Sequence, residues 1–223
     1  IEKYKNFDVA NLAVQSYSPI IYLKKIKTLL NDGYKFNHII VFIDPSDFVD
    51  EADYQLVNDK IFLGKNDKIQ KAKKFVRNIF PFTYKITWYA KKFYFTDENN
   101  LKNCEIREKC NSRWSWSIKD HGNVGRLKLS INEASYKLIS NLEELNLLLK
   151  KNKIKFSVGI YPYPSHFKYD NANSKYKQII ESFCVKKNNC DSFFDLYTPL
   201  FQMYEVNKTL INEIYFKKDI HFN

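Results

Sequence analysis

The chain lacks several features that would settle its class at once. It has no run of 18 apolar residues, so no stretch of its 223 residues spans a membrane as a helix. It has no internal repeat and no low-complexity tract. It carries no arginine cluster, no RNP-like aromatic motif and no zinc-finger spacing. The balance of 36 basic and 25 acidic residues leaves a formal charge of +11, with a pI near 9.3. That charge permits an anionic partner, but it is mostly lysine spread along the whole chain. Lys, Asn, Ile, Tyr and Phe are abundant together, as AT-rich codons produce, and no nucleic-acid partner is expected. No signal peptide is visible. The chain starts at Ile1, its single methionine is Met203, and residue 223 follows a motif without a closing helix. A fragment cut at both ends is therefore expected.

What is present describes a folded protein. At 223 residues and 26.7 kDa, with 44% apolar and 27% charged residues, the chain suits a single domain with a full core. Its four cysteines fall into two pairs, Cys104 with Cys110 and Cys184 with Cys190, each separated by five residues. Zinc knuckles are tighter, so no metal site is read from them. Two local disulfides in an oxidising compartment and four unrelated buried thiols both remain open.

Hydrophobic periodicity organises the rest. Residues 8–14 read as a buried strand. Ser18-Pro19 opens a helix along Ile20, Leu23, Ile26 and Leu30, and Gly33 stops it. Residues 39–43 form an apolar run of the kind buried on both faces of a parallel sheet. Residues 54–129 are irregular and read as an insertion. Residues 68–95 within it include helix interrupted near Pro81, with Trp88, Phe93 and Phe95 expected in a satellite core. Ser130-Ile131-Asn132-Glu133 is a capping-box pattern, and Leu138, Leu142, Leu145 and Leu149 form a helical stripe. A strand over 154–160, a helix near 174–185 and a last strand at 193–196 follow. The order β-α-β, insertion, α-β-α-β predicts an α/β fold with an open, doubly wound parallel sheet.

Ligands bind beyond the carboxyl ends of such strands. Three ends carry polar or restricted residues: Gln15-Ser16-Tyr17-Ser18, Asp44-Pro45-Ser46-Asp47, and Tyr161-Pro162-Tyr163-Pro164-Ser165-His166. Ordinary turn chemistry explains each of them equally well. His166 falls on the expected rim and is a candidate substrate contact. Asp219 lies two residues before His221 and can fix its tautomer, which leaves the other ring nitrogen as a base. The acidic group Asp44, Asp47, Asp50, Glu51 and Asp53 fits no EF-hand spacing and reads as a solvated, cap-rich loop. His38 and His121 read as structural.

Taken in order, four blocks resemble the SGNH (GDSL-like) hydrolase superfamily. They are Asn11-Leu12-Ala13-Val14-Gln15-Ser16-Tyr17-Ser18-Pro19, Ile43-Asp44-Pro45-Ser46-Asp47, Ile160-Tyr161-Pro162-Tyr163-Pro164 and Asp219-Ile220-His221-Phe222-Asn223. The likeness is to bacterial members that resemble glycan O-acetyl esterases and acetyltransferases, and it covers nearly the whole chain. It implies a single α/β/α sandwich with a flavodoxin-like parallel sheet over residues 1–223, missing its first strand and last helix, with 54–129 inserted.

The resemblance also implies a Ser-His-Asp mechanism on acyl, and foremost acetyl, esters of a carbohydrate. Its Gly-Asp-Ser nucleophile block would lie upstream of residue 1. His221 would be the base and Asp219 its orienter. The backbone N–H near Ser16 and the Ser46 hydroxyl would serve the oxyanion. In the family a glycine and an asparagine stand at those two places, and neither stands there in this chain. No metal or organic cofactor is implied. The expected partner is an acylated carbohydrate or small ester, with membrane association only through missing segments, and the expected location is periplasmic or otherwise extracytoplasmic. A non-catalytic glycan-binding or scaffold domain on the same fold is the alternative.

Overall fold

The computed structural model describes residues 8–14, 16–57, 60–63, 75, 78, 79 and 123–215. The first helix, α1 (Pro19–Asn31), has Ser18 at its N-cap and a proline at the first turn, where a missing N–H costs nothing. It buries Ile20, Leu23 and Ile26, and it ends where Gly33 takes φ +89°. Strand β1 (His38–Ile43) leads directly into α2 (Pro45–Glu51). The hairpin of β2 (Tyr54–Val57) and β3 (Lys60–Leu63) follows, and then a two-residue ribbon, β4 (Asn123–Val124) with β5 (Leu129–Ser130). Helix α3 (Ile131–Lys151) is the longest described helix. Its Ser130–Glu133 capping box forms as the sequence predicts, and Leu138, Leu142, Leu145 and Leu149 are fully buried.

The chain then makes β6 (Lys155–Ile160), α4 (Pro164–Tyr169) and α5 (Lys175–Glu181). A π-helical turn at Ser182–Lys186 follows, then β7 (Ser192–Asp195), α6 (Tyr197–Val206) and α7 (Leu210–Ile214). Strands β1, β6 and β7 form one parallel sheet in the order β1-β6-β7, with Val41 opposite Val158 and Phe193 opposite Val158 on the other side. A parallel sheet flanked by helices is the α/β class expected. Ile39, Val41, Ile43, Phe156, Val158 and Ile160 share one core cluster with the leucine stripe of α3 and with Tyr176 and Ile180 of α5.

The opposite face of the sheet is less covered. Ile40 is 49% and Phe42 45% exposed, and Phe42 lies over Gly159, where a Cβ would meet its ring at 2.3 Å. On the same face the His38 ring nitrogen Nε2 sits 2.8 Å from the buried Ser157 hydroxyl and satisfies it. That pairing agrees with a structural His38.

The expected strand at residues 8–14 does not form. Val9 is 88% exposed, and the Asn11 side chain accepts from the Ala13 amide at 3.0 Å, a local bond that competes with a ladder. Lys25 holds the segment against α1 by donating to the Leu12 carbonyl. Among the described residues the outer edge of β1 is therefore unpaired.

Cys184 and Cys190 form a disulfide with a Cα separation of 4.8 Å, tying the π-helical turn to the approach of β7. A disulfide is compatible with an oxidising compartment. Cys104, Cys110, His121, Trp88, Phe93 and Phe95 lie outside the described residues. No described helix is long and apolar enough to cross a membrane.

Candidate functional site

The site grows out of two strand ends. At Ile43 the sheet stops, and Asp44 turns the chain into α2. Its Oδ1 accepts from the Ser46 amide at 2.7 Å, while the Asp47 carboxylate accepts from the Asp44 amide at 2.8 Å. These reciprocal bonds, with Pro45 in the first turn, are the local reason the helix starts there. At Ile160 the second strand stops, and the prolines of Tyr161-Pro162-Tyr163-Pro164 hold the chain extended until α4 begins.

The two ends meet through hydroxyls. Tyr161 donates to Asp44 Oδ2 at 3.2 Å, and Tyr163 donates to the Ser46 hydroxyl at 3.3 Å. The Ser46 hydroxyl in turn donates to Asp44 Oδ1 at 2.6 Å. From α1, the Tyr22 hydroxyl lies 2.9 Å from both Asp47 Oδ1 and the Tyr17 carbonyl and donates to one of them at a time. Underneath, Tyr176 donates to the Ile43 carbonyl and Tyr215 to the Pro162 carbonyl.

Burial sets the protonation of this cluster. It pushes the Asp47 carboxyl well up, with Asp44 adding to the shift, and it pushes Asp50 up to about 6, with Asp44 and Asp53 adding. Burial likewise raises the Tyr22, Tyr161 and Tyr163 hydroxyls, so they act as donors and not as phenolates. Glu51 is fully buried and raised by that burial against the opposing charge of Lys137. It accepts from the Ile20 amide at 3.2 Å and from Asn141 at 2.5 Å, which locks α1, α2 and α3 around the rim. The acidic group is thus partly a buried network, against the expectation of a solvated loop. Among the described residues it gathers no set of side chains able to hold a metal.

The sequence-predicted residues divide. Ser16 takes a left-handed backbone, φ 61°, and its carbonyl accepts from the Tyr54 hydroxyl at 2.9 Å. A serine held there stores backbone strain of about 1 kcal/mol or more, and among the described residues its amide has no acceptor. Ser46 lies in the hydroxyl network, and its own proton is directed at Asp44. His166 is completely buried. It stacks on Tyr163 and touches the rings of Tyr176 and Tyr197, its Nδ1 accepts from the Tyr163 amide at 3.3 Å, and its Nε2 faces Asp170 at 3.7 Å. It holds Tyr163 in place from the core side, and as placed it has no open path to solvent. Asp219 and His221 lie outside the described residues.

Tyr161 and Tyr163 fall in the third strand-end block that the sequence offers, without a role of their own there, whereas Tyr22 of α1 falls in none of the three blocks. The signal available for Tyr22 was its place in the first turn of α1. Comparison with protein-family models, with curated proteins and with solved structures gives no match.

Proposed function

We propose that this chain is the larger part of an SGNH-type domain that handles acetyl esters of a carbohydrate outside the cytoplasm, in a periplasm or similar space. The observation that carries the reading is the meeting of two strand-end blocks, Asp44–Asp47 and Tyr161–Pro164, at the carboxyl rim of a parallel sheet, with the Tyr22 hydroxyl within reach of both the Tyr17 carbonyl and Asp47. The resemblance of these blocks in order supplies the chemistry, and the outer edge of β1, unpaired among the described residues, leaves room for a further strand beside them. The Cys184–Cys190 bridge supports the oxidising location.

In this reading a serine supplied from upstream attacks the ester carbonyl while His221, oriented by Asp219, takes its proton. The carbonyl oxygen becomes an oxyanion against the Ser16 amide. The Ser46 hydroxyl joins it by turning away from Asp44. Collapse expels the sugar hydroxyl, which takes the proton from His221, and leaves an acetyl-serine. Water then gives hydrolysis, or a second sugar hydroxyl gives transfer.

A glycan-binding domain without catalysis is the second reading, and the engagement of the Ser46 proton by Asp44 favours it. Two assays separate them: acetyl-ester turnover by a protein extended upstream of residue 1, and glycan binding by the same protein. Turnover supports the enzyme, and binding with no turnover supports the module.

A further inference from the structure

A second concavity, separate from the tyrosine–carboxylate rim, lies between α1, β2, the β4–β5 turn and α3. Its volume is about 780 Å³, inside the range of roughly 300–1,000 Å³ common for small-ligand sites. Gln55, Arg126, Lys128, Tyr136, Lys137 and Ser140 line it, and no described lining residue is a carboxylate.

The three cations differ in what else they do. Lys137 is a structural pin: it donates to the Glu51 carbonyl at 2.6 Å and to the Tyr54 carbonyl, and it stands 3.8 Å from the Glu51 carboxylate. Arg126 is anchored to Asp53 through its amide at 2.6 Å and its Nε at 3.7 Å, with 37% of its side chain still exposed. Lys128 is exposed, and no described carboxylate pairs with it. It also takes φ 53°, at a turn position where glycine costs less. Tyr136 presents a ring that is 79% exposed to the same cleft.

We propose that this cleft binds a carboxylate-bearing saccharide, such as a uronic-acid unit of a glycan. Lys128 and Arg126 pair with the carboxylate. The Tyr136 ring takes the apolar face of the pyranose, and Gln55 and Ser140 bond its hydroxyls. The unpatterned lysine charge of the chain adds long-range attraction for such a ligand. The inference stands whether or not the rim carries an esterase, because its test measures binding alone.

The test is calorimetric titration of the 223-residue chain with a galacturonic acid trisaccharide, and with maltotriose, tripolyphosphate and single-stranded DNA as competitors for the explanation. The galacturonate is expected to bind at least about tenfold more tightly than maltotriose. Tyr136→Ala and Lys128→Gly are each expected to weaken it about fivefold or more. Lys128→Gly removes the charge and relieves the left-handed backbone, so its thermal midpoint is expected to hold or rise. That rules out unfolding as the cause of weaker binding. No galacturonate binding, equal binding of maltotriose, or loss in neither variant overturns the proposal. So does tripolyphosphate or DNA binding as tightly and insensitively to Tyr136→Ala, which marks simple polyanion attraction.

Discussion

Asp50 illustrates how single residues carry the electrostatics of the rim. Its folded pKa is raised to about 6 by partial burial and by Asp44 and Asp53, whereas the unfolded carboxyl titrates near its ordinary value of about 3.9. Between those values the folded protein holds a proton that the unfolded chain has released, so stability falls as pH rises from about 4 to about 6. Asp47 and Glu51 act in the same direction. Asp50→Asn removes one such ionisation. It is expected to stabilise the protein at pH 7 by about 1 kcal/mol once solvent screening is allowed for, with the gain vanishing below about pH 4. Urea midpoints at several pH values measure this, and a gain that persists at pH 3 contradicts it. At this scale the sequence is legible only where partners are near neighbours. The Asp44–Asp47 cap is visible as a pattern, but Tyr161 reaches Asp44 across 117 positions and Tyr22 reaches Asp47 across 25. His166 falls at a strand end in sequence, yet α4 starts two residues before it and turns its ring into the core.

Among the elements, the β4–β5 ribbon shows how a short piece is fixed by its surroundings. Two residues per strand give almost no periodic signal, so in the sequence this stretch is only the end of the irregular insertion. The turn is docked on the end of α2: the Leu127 amide donates to the Ala52 carbonyl at 2.9 Å, and Gly125 packs against Ala52 at φ 67°. A Cβ at Gly125 would lie 2.5 Å from the Ala52 Cβ, whereas one at Gly33 would meet nothing within 4 Å. Both glycines have positive φ, so Gly33→Ala costs about 1 kcal/mol from backbone strain alone. Gly125→Ala is expected to cost about 2–4 kcal/mol, because overpacking adds to that strain. Equal denaturation midpoints for the two variants would contradict the docking.

The Cys184–Cys190 bridge closes a short loop between elements, and the spacing in the sequence made it legible. Its loss in a Cys184→Ser, Cys190→Ser double variant is expected to cost roughly 2 kcal/mol in a denaturant titration. No change would mean that the reduced chain holds the same geometry unaided. The helices and the strands β1 and β6 were legible for a simple reason: α3 repeats leucine on one face, residues 39–43 are a continuous apolar run, and Ile154, Phe156, Val158 and Ile160 alternate along residues 154–160. Residues 8–14 misled because apolar content alone does not supply a pairing partner, and Asn11 offers the backbone a local alternative.

At the scale of the molecule, the parallel sheet brings residues from α1, α2 and the β6–α4 turn to one rim, and topology does what sequence proximity cannot. The α/β class followed from the order of elements. The convergence of hydroxyls on Asp44 and Asp47 draws on α1, through Tyr22, and on the β6–α4 turn, through Tyr161 and Tyr163. Among the described residues the edge of β1 is unpaired and its Ile40 and Phe42 are half-exposed, which is unusual for an apolar strand, since edges are normally guarded by charge, proline or bulges. In the proposed reading a strand carrying the nucleophile completes the sheet there. The most direct measurement is acetyl-ester turnover by the upstream-extended protein and by its His221→Ala variant. The account predicts turnover by the extended protein, none by the 223-residue chain, and a drop of at least about a hundredfold in the variant. An inert extended protein, or a His221→Ala variant as active as its parent, would contradict it.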